Sequence, residues 1–390
     1  MTVARGDAVG LTRTLVRIDS RNPSLVPGAP GEGAVARSLA EVLRAWGFAV
    51  DVHDAAPNRP NVVARVGPAG GRTLMFNGHL DVVGIDGMTH APFAADERDG
   101  SLWGRGSSDM KGGVAAMCAA AARAADGGLD CEVIITAVAG EEWDSIGTRA
   151  VIARGVRADA AIVTEPTRLA IAPAHRGFVW STVTVNGRAA HGSRYDVGID
   201  AIRHAGLLLA ELDALESGEL SERTHPLLGR ASWHASMIDG GLGMSTYPDR
   251  CTLRIERRTL PGETPAQAVQ ELRAACARVR SRRPSFDAEV TLDLSQNPSD
   301  VATDAPVVRS LSRALQSAGE ASRVEGLSAW TDAALLNEAG VPAICYGPGD
   351  IARAHAAAEW IEVDEIERAT RVLALLAQSW ARDEEPAWRT

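Results

Sequence analysis

Short segments that contain histidine or acidic residues recur along the chain, and most of them directly follow a short apolar stretch. They are Gly78-His79-Leu80-Asp81, Ser108-Asp109-Met110-Lys111-Gly112-Gly113, Gly140-Glu141-Glu142, Thr164-Glu165-Pro166 and Ala354-His355-Ala356. Imidazole nitrogens and carboxylate oxygens form the mixed ligand set that divalent cations of intermediate softness prefer. The segments together predict a metal centre, with zinc as the expected ion and cobalt or manganese as alternatives.

The spacing within two of these segments suits ligation. His79 and Asp81 alternate, so in an extended backbone both side chains leave the same face, and the carboxylate can accept the second imidazole N–H. Asp109 lies between Gly106 and Gly112, where the backbone can approach a buried site closely. The alternative for Asp109 is a cap on the alanine-rich helix that follows.

The remaining candidates also have two interpretations each. Glu141 and Glu142 are adjacent, and a bound dication allows one to ligate metal while its neighbour accepts a proton from water. Without a metal they are a solvated acidic pair. Glu165 ends a β-rich run and is either a ligand or a turn residue, and His355 follows a turn-rich segment and is either a ligand or a loop histidine.

Length and charge limit the classes of protein to be considered. A chain of 390 residues exceeds the size at which one core keeps growing, so two domains are expected. The net charge of -10 disfavours nucleic acid and anionic membrane surfaces as partners. Five cysteines without paired spacing, no signal peptide and no apolar run of about 18 residues predict a cytoplasmic protein without disulfides.

The elements that must position these residues alternate between helix and strand in the first part of the chain. The predicted helices are 34–46, 113–125 and 148–154, and the predicted strands are 61–66, 73–76, 132–139 and 160–164. A short strand at 343–346 and a final helix at 363–380 follow near the end. This pattern predicts an α/β sheet with its chemistry at the strand ends.

Between these two parts the pattern changes to the order βαββαβ, which is that of a split, ferredoxin-like unit. The predicted elements are 179–185, 199–215, 231–238, 251–260, 264–279 and 288–294. Because such a unit is complete in itself, we interpret 178–296 as an inserted domain. Residues 1–177 and 297–390 then form one discontinuous catalytic domain.

Taken in order, Gly-His-x-Asp, Asp-x-Lys-Gly-Gly, Gly-Glu-Glu, Glu-Pro-Thr and the late Ala-His closely resemble the motifs of one family. It contains acetylornithine deacetylase, succinyl-diaminopimelate desuccinylase, aminoacylases and glutamate carboxypeptidases, and the resemblance covers nearly the whole chain. It implies an α/β fold with a zinc-peptidase-like catalytic domain, whose mixed sheet is flanked by helices, and an inserted α+β lid and dimerisation domain. It also implies two Zn²⁺ per subunit and hydrolysis of an amide bond in a small, carboxylate-bearing N-acyl amino acid or peptide.

The resemblance implies two metal sites with one shared ligand: His79, Asp109 and Glu165 for the first, and Asp109, Glu142 and His355 for the second. Asp81 would orient His79. Glu141 would be the general base that activates a hydroxide bridging the two zinc ions, and later the proton donor.

In the inserted domain, the resemblance implies that His191 reaches the active site of a partner subunit, which predicts a homodimer. It also implies that Arg258 binds the substrate carboxylate, a bidentate task suited to guanidinium. Arg257 would point to the opposite face of the strand. Two other functions stay open: a dipeptidase or glutamate-type carboxypeptidase, and a catalytically inactive metal-binding or ligand-binding protein.

Overall fold

A computed structural model of the chain describes residues 3–382. Its α-helices are α1 (Ala8–Val16), α2 (Gly33–Ala45), α3 (Gly112–Asp126), α4 (Ile146–Ala153), α5 (Ala201–Leu215), α6 (Pro265–Arg282), α7 (Pro306–Ser317), α8 (Ala333–Glu338) and α9 (Val363–Ser379). Its strands up to the middle of the chain are β1 (Ala49–Ala56), β2 (Arg59–Val66), β3 (Thr73–His79), β4 (Asp96–Arg98), β5 (Ser101–Trp103), β6 (Glu132–Val138), β7 (Ala160–Val163), β8 (Ile171–His175) and β9 (Gly177–Asn186). The later strands are β10 (Thr224–His225), β11 (Gly229–Arg230), β12 (Ser232–Gly240), β13 (Arg250–Thr259), β14 (Asp287–Gln296), β15 (Ser299–Asp300), β16 (Val324–Leu327), β17 (Ala343–Cys345) and β18 (Trp360–Glu362).

The chain divides into two compact units. The first comprises the chain up to Pro173, Val301–Glu325 and the chain from Thr331 onwards. The second comprises Ala174–Asp300 and Gly326–Trp330. Within the second unit, the end of β8 pairs with β15 through His175 and Ser299.

The first unit is built on a mixed sheet with the strand order β1-β2-β6-β3-β7-β17-β8. The central strands β6, β3, β7 and β17 are parallel neighbours, whereas β1, β2 and β8 pair antiparallel. Parallel strands have their carboxyl ends at one edge of the sheet. The segments that follow β3, β6, β7 and β17 therefore start from a common edge.

Alternation along the central strands gives this sheet two apolar faces. Ile135 packs into the large core that also contains residues of α1, α2, α3, α7 and α9, whereas its neighbour Ile134 packs into a smaller cluster with Val151 of α4. Because both faces are covered, β3, β6 and β7 are apolar over most of their length, as is typical of parallel strands buried on both sides.

A close backbone contact sets the position of α3 against the strand that precedes Glu165. A Cβ atom placed at Gly113, in the first turn of α3, would lie 2.0 Å from the carbonyl oxygen of Thr164. Glycine is therefore required at position 113, because the backbones are too close to leave room for the Cβ atom of any other residue.

The second unit contains the predicted βαββαβ order as β9, α5, β12, β13, α6 and β14. These strands form an antiparallel sheet with the order β12-β13-β9-β14. The core between this sheet and the helices α5 and α6 includes Val183, Leu208, Leu253 and Leu272. The two-residue strands β10 and β11, between α5 and β12, were not predicted.

All five cysteines are buried and free. Over residues 3–382 the helices are too short or too polar for any of them to span a bilayer.

Candidate metal centre

Three side chains converge at the carboxyl edge of the central strands of the first unit. His79 is the last residue of β3, Glu165 follows β7, and Asp109 lies in the turn before α3. Their ligand atoms lie within 4.8 Å of one another, and His79 Nε2 is 2.9 Å from Asp109 Oδ1. All three residues are buried. They form the first of the two predicted ligand sets.

The second predicted set comes together beside the first and shares Asp109 with it. The ligand atoms of Asp109, Glu142 and His355 also lie within 4.8 Å of one another. His355 Nε2 is 2.9 Å from Glu142 Oε2 and 3.6 Å from Asp109 Oδ2. Asp109 directs its two oxygens to different histidines, as a carboxylate that bridges two cations must do.

The electrostatics of this cluster favour a bound cation. Burial raises the pKa of Glu141 and of Glu165 well above the ordinary value, and neighbouring carboxylates raise both further. Burial and Asp109 likewise raise the pKa of Glu142. The hydrogen bond to Glu142 raises the pKa of His355 to about 9. The negative charges are thus costly in this site unless positive charge is supplied.

Within the described part of the chain, some carboxylate oxygens of this cluster take part in no hydrogen bond, so they remain available to bind a metal ion. Among residues 3–382, Glu142 Oε1 and Glu165 Oε1 are buried oxygens without a hydrogen-bond partner. An unpaired buried carboxylate oxygen carries a desolvation cost that metal coordination would offset. The donor set of two imidazoles and three carboxylates therefore fits a pair of divalent cations of intermediate softness.

Glu141 lies beside this centre but belongs to neither ligand set. Its Oε2 is 3.9 Å from His79 Nε2, and its side chain is largely buried. A carboxylate in this position is close enough to exchange protons with a molecule bound at the centre.

Asp81 makes contacts that differ from the prediction. His79 Nδ1 donates its hydrogen bond to the main-chain oxygen of Asp81, at 2.9 Å, whereas the predicted acceptor, carboxylate Oδ1, is 3.6 Å away. That carboxylate instead accepts the backbone N–H groups of Gly140, Glu141 and Glu142 at 2.9–3.1 Å. Asp81 therefore holds the imidazole through its backbone and the Glu141-Glu142 turn through its side chain.

Three buried residues at the centre were not predicted: Asn22, Arg105 and Glu359. Asn22 Nδ2 donates to Asp81 Oδ2 at 2.7 Å, and Glu359 accepts from the backbone of the Asp109 turn. Asn22 and Arg105 carry no local sequence signal for this role. Glu359 follows His355 by four residues, but this segment is not helical, so the spacing does not indicate a contact with Asp109.

His191 and Arg258 belong to the second unit, whereas the candidate ligands, Glu141 and Asp81 belong to the first. His191 is exposed, and its Nδ1 is 2.8 Å from Ser193 Oγ. Arg258 forms an ion pair with Glu256, and Arg257 is buried and paired with Glu263 at 2.6 Å.

Arg176 is a further cation of the second unit that was not predicted as a site residue. Burial lowers its pKa, and so do the charges of Arg258 and Arg230 nearby. Arg258 and Arg230 therefore lie near Arg176, and Arg258 itself pairs with Glu256.

A mixed sheet whose carboxyl edge holds two ligand sets with a shared aspartate defines the class as a candidate two-metal enzyme. Comparison with known proteins specifies the family. Residues 75–379 match the family model described as peptidase family M20/M25/M40, and the chain belongs to that family. The family resemblance and the prediction of a hydrolase are thereby confirmed.

Curated relatives match over most of their length. The chain is 32% identical over 343 residues to an acetylornithine deacetylase of Myxococcus xanthus, covering 85% of this chain and 88% of the relative. It is 28% identical to an N-formyl-4-amino-5-aminomethyl-2-methylpyrimidine deformylase of Bacillus subtilis (strain 168), covering 96% and 94%. An M20 family metallo-carboxypeptidase from Sulfolobus solfataricus has a similar structure, with a TM-score of 0.81, 16% identity and coverage of 96% and 99%. The predicted fold class is confirmed.

Proposed function

We propose that this protein is a di-zinc amidohydrolase that removes a small acyl group from the nitrogen of a small, carboxylate-bearing substrate. The observation that carries this proposal is the pair of ligand sets that share Asp109, with Glu141 beside them. Family membership supports the hydrolytic reaction. The names of two relatives, a deacetylase and a deformylase, favour a short acyl group.

The ligand sets assign the metals to residues. His79, Asp109 and Glu165 would hold one zinc ion, and Asp109, Glu142 and His355 the other. When bound, the two cations would polarise the scissile carbonyl and make a water molecule more acidic.

Glu141 is the acid–base residue of this proposal. Its carboxylate takes the proton from the attacking water, and the same proton then passes to the nitrogen that leaves when the C–N bond breaks. Since neither ligand set uses Glu141, its oxygens stay free for this transfer. The Asp81 carboxylate supports it by holding the backbone of the turn in place.

The proposed substrate binding and the proposed subunit arrangement involve residues of the second unit. Arg258 is the candidate for binding the substrate carboxylate, because a guanidinium can bind a carboxylate with two parallel hydrogen bonds. His191 is the candidate for stabilising the oxyanion in the active site of a partner subunit. The exposed location of His191 is compatible with reaching another chain.

A homodimer is the assembly that this role of His191 requires. β12 is an edge strand of its sheet, and Met237 and Ile238 on it are 58% and 57% exposed. Unpaired backbone groups together with exposed apolar side chains favour pairing of this strand with a second copy. We place the dimer in the cytoplasm, where its free thiols stay reduced.

The experiment that tests the function compares chelated enzyme with enzyme to which zinc or cobalt has been restored. N-acetyl, N-formyl and N-succinyl amino acids are assayed beside dipeptides. We expect metal-dependent cleavage of an N-acyl amino acid. Cleavage of dipeptides alone would replace the deacylase proposal with the peptidase alternative, and bound metal without any turnover would favour the inactive metal-binding alternative.

Glu141→Gln tests the mechanism separately. The amide keeps the size of the side chain but cannot accept a proton, so we expect kcat to fall by about 10²–10⁴-fold. Two equivalents of zinc should still bind, because Glu141 is in neither ligand set. Zinc content and kcat are measured on the same sample, and retention of full activity would contradict the assigned role.

A further inference from the structure

Glu359 is a fully buried carboxylate whose hydrogen bonds go to the turn that carries Asp109. Its Oε1 accepts the backbone N–H groups of Ser108 and Asp109, both at 3.1 Å. Its main-chain oxygen accepts the N–H of Gly104, also at 3.1 Å. One residue near the end of the chain therefore binds the segment before α3 at three points.

Arg105 completes this arrangement from the other side. Its Nη1 lies 2.6 Å from Glu359 Oε2, and its Nε donates to the main-chain oxygen of Gly84 at 2.9 Å. Both partners of this ion pair are at most 3% exposed. A buried ion pair with additional hydrogen bonds has a fixed geometry, because breaking either contact leaves a charge unpaired away from water.

We propose that Glu359, held by Arg105, is a positioning residue that sets the shared ligand Asp109 for both metal ions. This inference rests on the proposed di-zinc function and deepens it. Asp109 has an extended backbone, with φ -124° and ψ 94°, and the next residue, Met110, is also non-helical, so regular helical hydrogen bonds do not fix Asp109. The Glu359 carboxylate supplies the missing constraint.

Glu359 also links Asp109 to the second metal site, because Glu359 lies in the same chain segment as His355. His355 lies four residues before Glu359, and its side chain is the most exposed of the proposed ligands. The same residue thus anchors both the shared aspartate and the segment that carries His355. The first site keeps two ligands that do not contact Glu359, His79 at the end of β3 and Glu165 two residues after β7, so loss of Glu359 should affect the second site more.

The test uses Glu359→Ala with Asp159→Ala as a matched control. Asp159 is also a buried carboxylate that accepts a backbone N–H, that of Thr73 at 2.8 Å, but it lies at the opposite end of β3 and β7. Zinc binding to the chelated proteins is measured by competition with a chromophoric chelator. Thermal unfolding of the same metal-free proteins measures the purely structural cost.

We expect the wild-type protein to bind two equivalents of zinc and Glu359→Ala to bind the second about 10–100-fold more weakly. Asp159→Ala should lose stability without this loss of affinity. Glu359→Gln should recover part of the affinity, because its amide oxygen still accepts N–H groups, and this variant carries the test if Glu359→Ala does not fold.

Two results would overturn the inference in distinguishable ways. If the wild type binds two zinc ions and the Glu359 variants bind both with unchanged affinity, or lose no more affinity than Asp159→Ala, only the positioning role is wrong. If the wild type binds no zinc, the proposed function and this inference fail together.

Discussion

At the scale of single residues, Asp81 has the largest number of contacts that bear on the proposed mechanism. Its carboxylate accepts three consecutive N–H groups, of Gly140, Glu141 and Glu142, and its carbonyl orients His79. In Asp81→Asn one oxygen becomes an NH₂ group that faces backbone donors. We expect metal affinity to fall by about 10–100-fold, with a loss in kcat as well, because the turn carries both a ligand and the acid–base residue. Zinc titration and steady-state kinetics measure the two effects.

Asn22→Ala is a milder change at the same carboxylate, and its effect is compared with that of Asp81→Asn. Asn22 donates to one oxygen of the same carboxylate, so its removal should weaken the contact without placing a donor against the turn. Its loss of affinity should therefore be smaller. Equal losses in Asp81→Asn and Asn22→Ala would argue that the bonds to the turn have no special role.

The residue-scale chemistry was partly accessible from sequence. Each proposed ligand lies within a short polar segment, and most of these segments end a strand, so the pattern itself indicates that they meet. Alternation of His79 and Asp81 does not reveal whether the carboxylate or the carbonyl receives the imidazole N–H. The contact between Glu359 and Asp109 joins residues 250 positions apart, and no periodicity reports on such a contact.

At the scale of elements, the close approach of α3 to the end of β7 predicts that two glycines differ in how their replacement by alanine changes stability. In Gly113→Ala the new methyl group would meet the Thr164 carbonyl, and we expect a loss of about 1–3 kcal/mol of stability. Because Thr164 precedes Glu165, kcat should fall too. Gly206, in α5, has nothing within 4 Å of its added Cβ, so Gly206→Ala should gain about 0.5–1 kcal/mol. Calorimetric unfolding measures both, and a Gly113→Ala protein as stable as Gly206→Ala would refute the packing argument.

The strands that are buried on both faces could be located from the sequence. The central strands β3, β6 and β7 are apolar because both sheet faces are covered, and their predicted ranges agree with the structure to within a few residues. β1 was not predicted, because it lies at the sheet edge with an exposed and partly exposed surface and contains Asp51 and Asp54. The three-residue strands β4 and β5 are too short to show any period.

At the scale of the whole molecule, the two units carry different parts of the proposed chemistry. The proposed ligands and Glu141 are in the first unit, and His191 and Arg258 are in the second. The βαββαβ order predicts an inserted unit because it is complete in itself. Composition does not mark where such a unit starts, since β8 begins in the first unit and ends in the second.

The proposed role of His191 in a partner subunit makes a prediction that only a dimer can satisfy. His191→Ala and Glu141→Gln should each be nearly inactive alone, but subunit exchange between them creates hybrids in which one active site has both residues. Random exchange makes about half of the dimers hybrid, and each has one complete site of two, so about a quarter of the wild-type rate should return. Ile238→Lys added to both variants places charge on the exposed edge of β12 and should prevent the recovery. Activity of the mixture is followed together with sedimentation, and an unrestored rate despite dimers would show that His191 does not act across the interface.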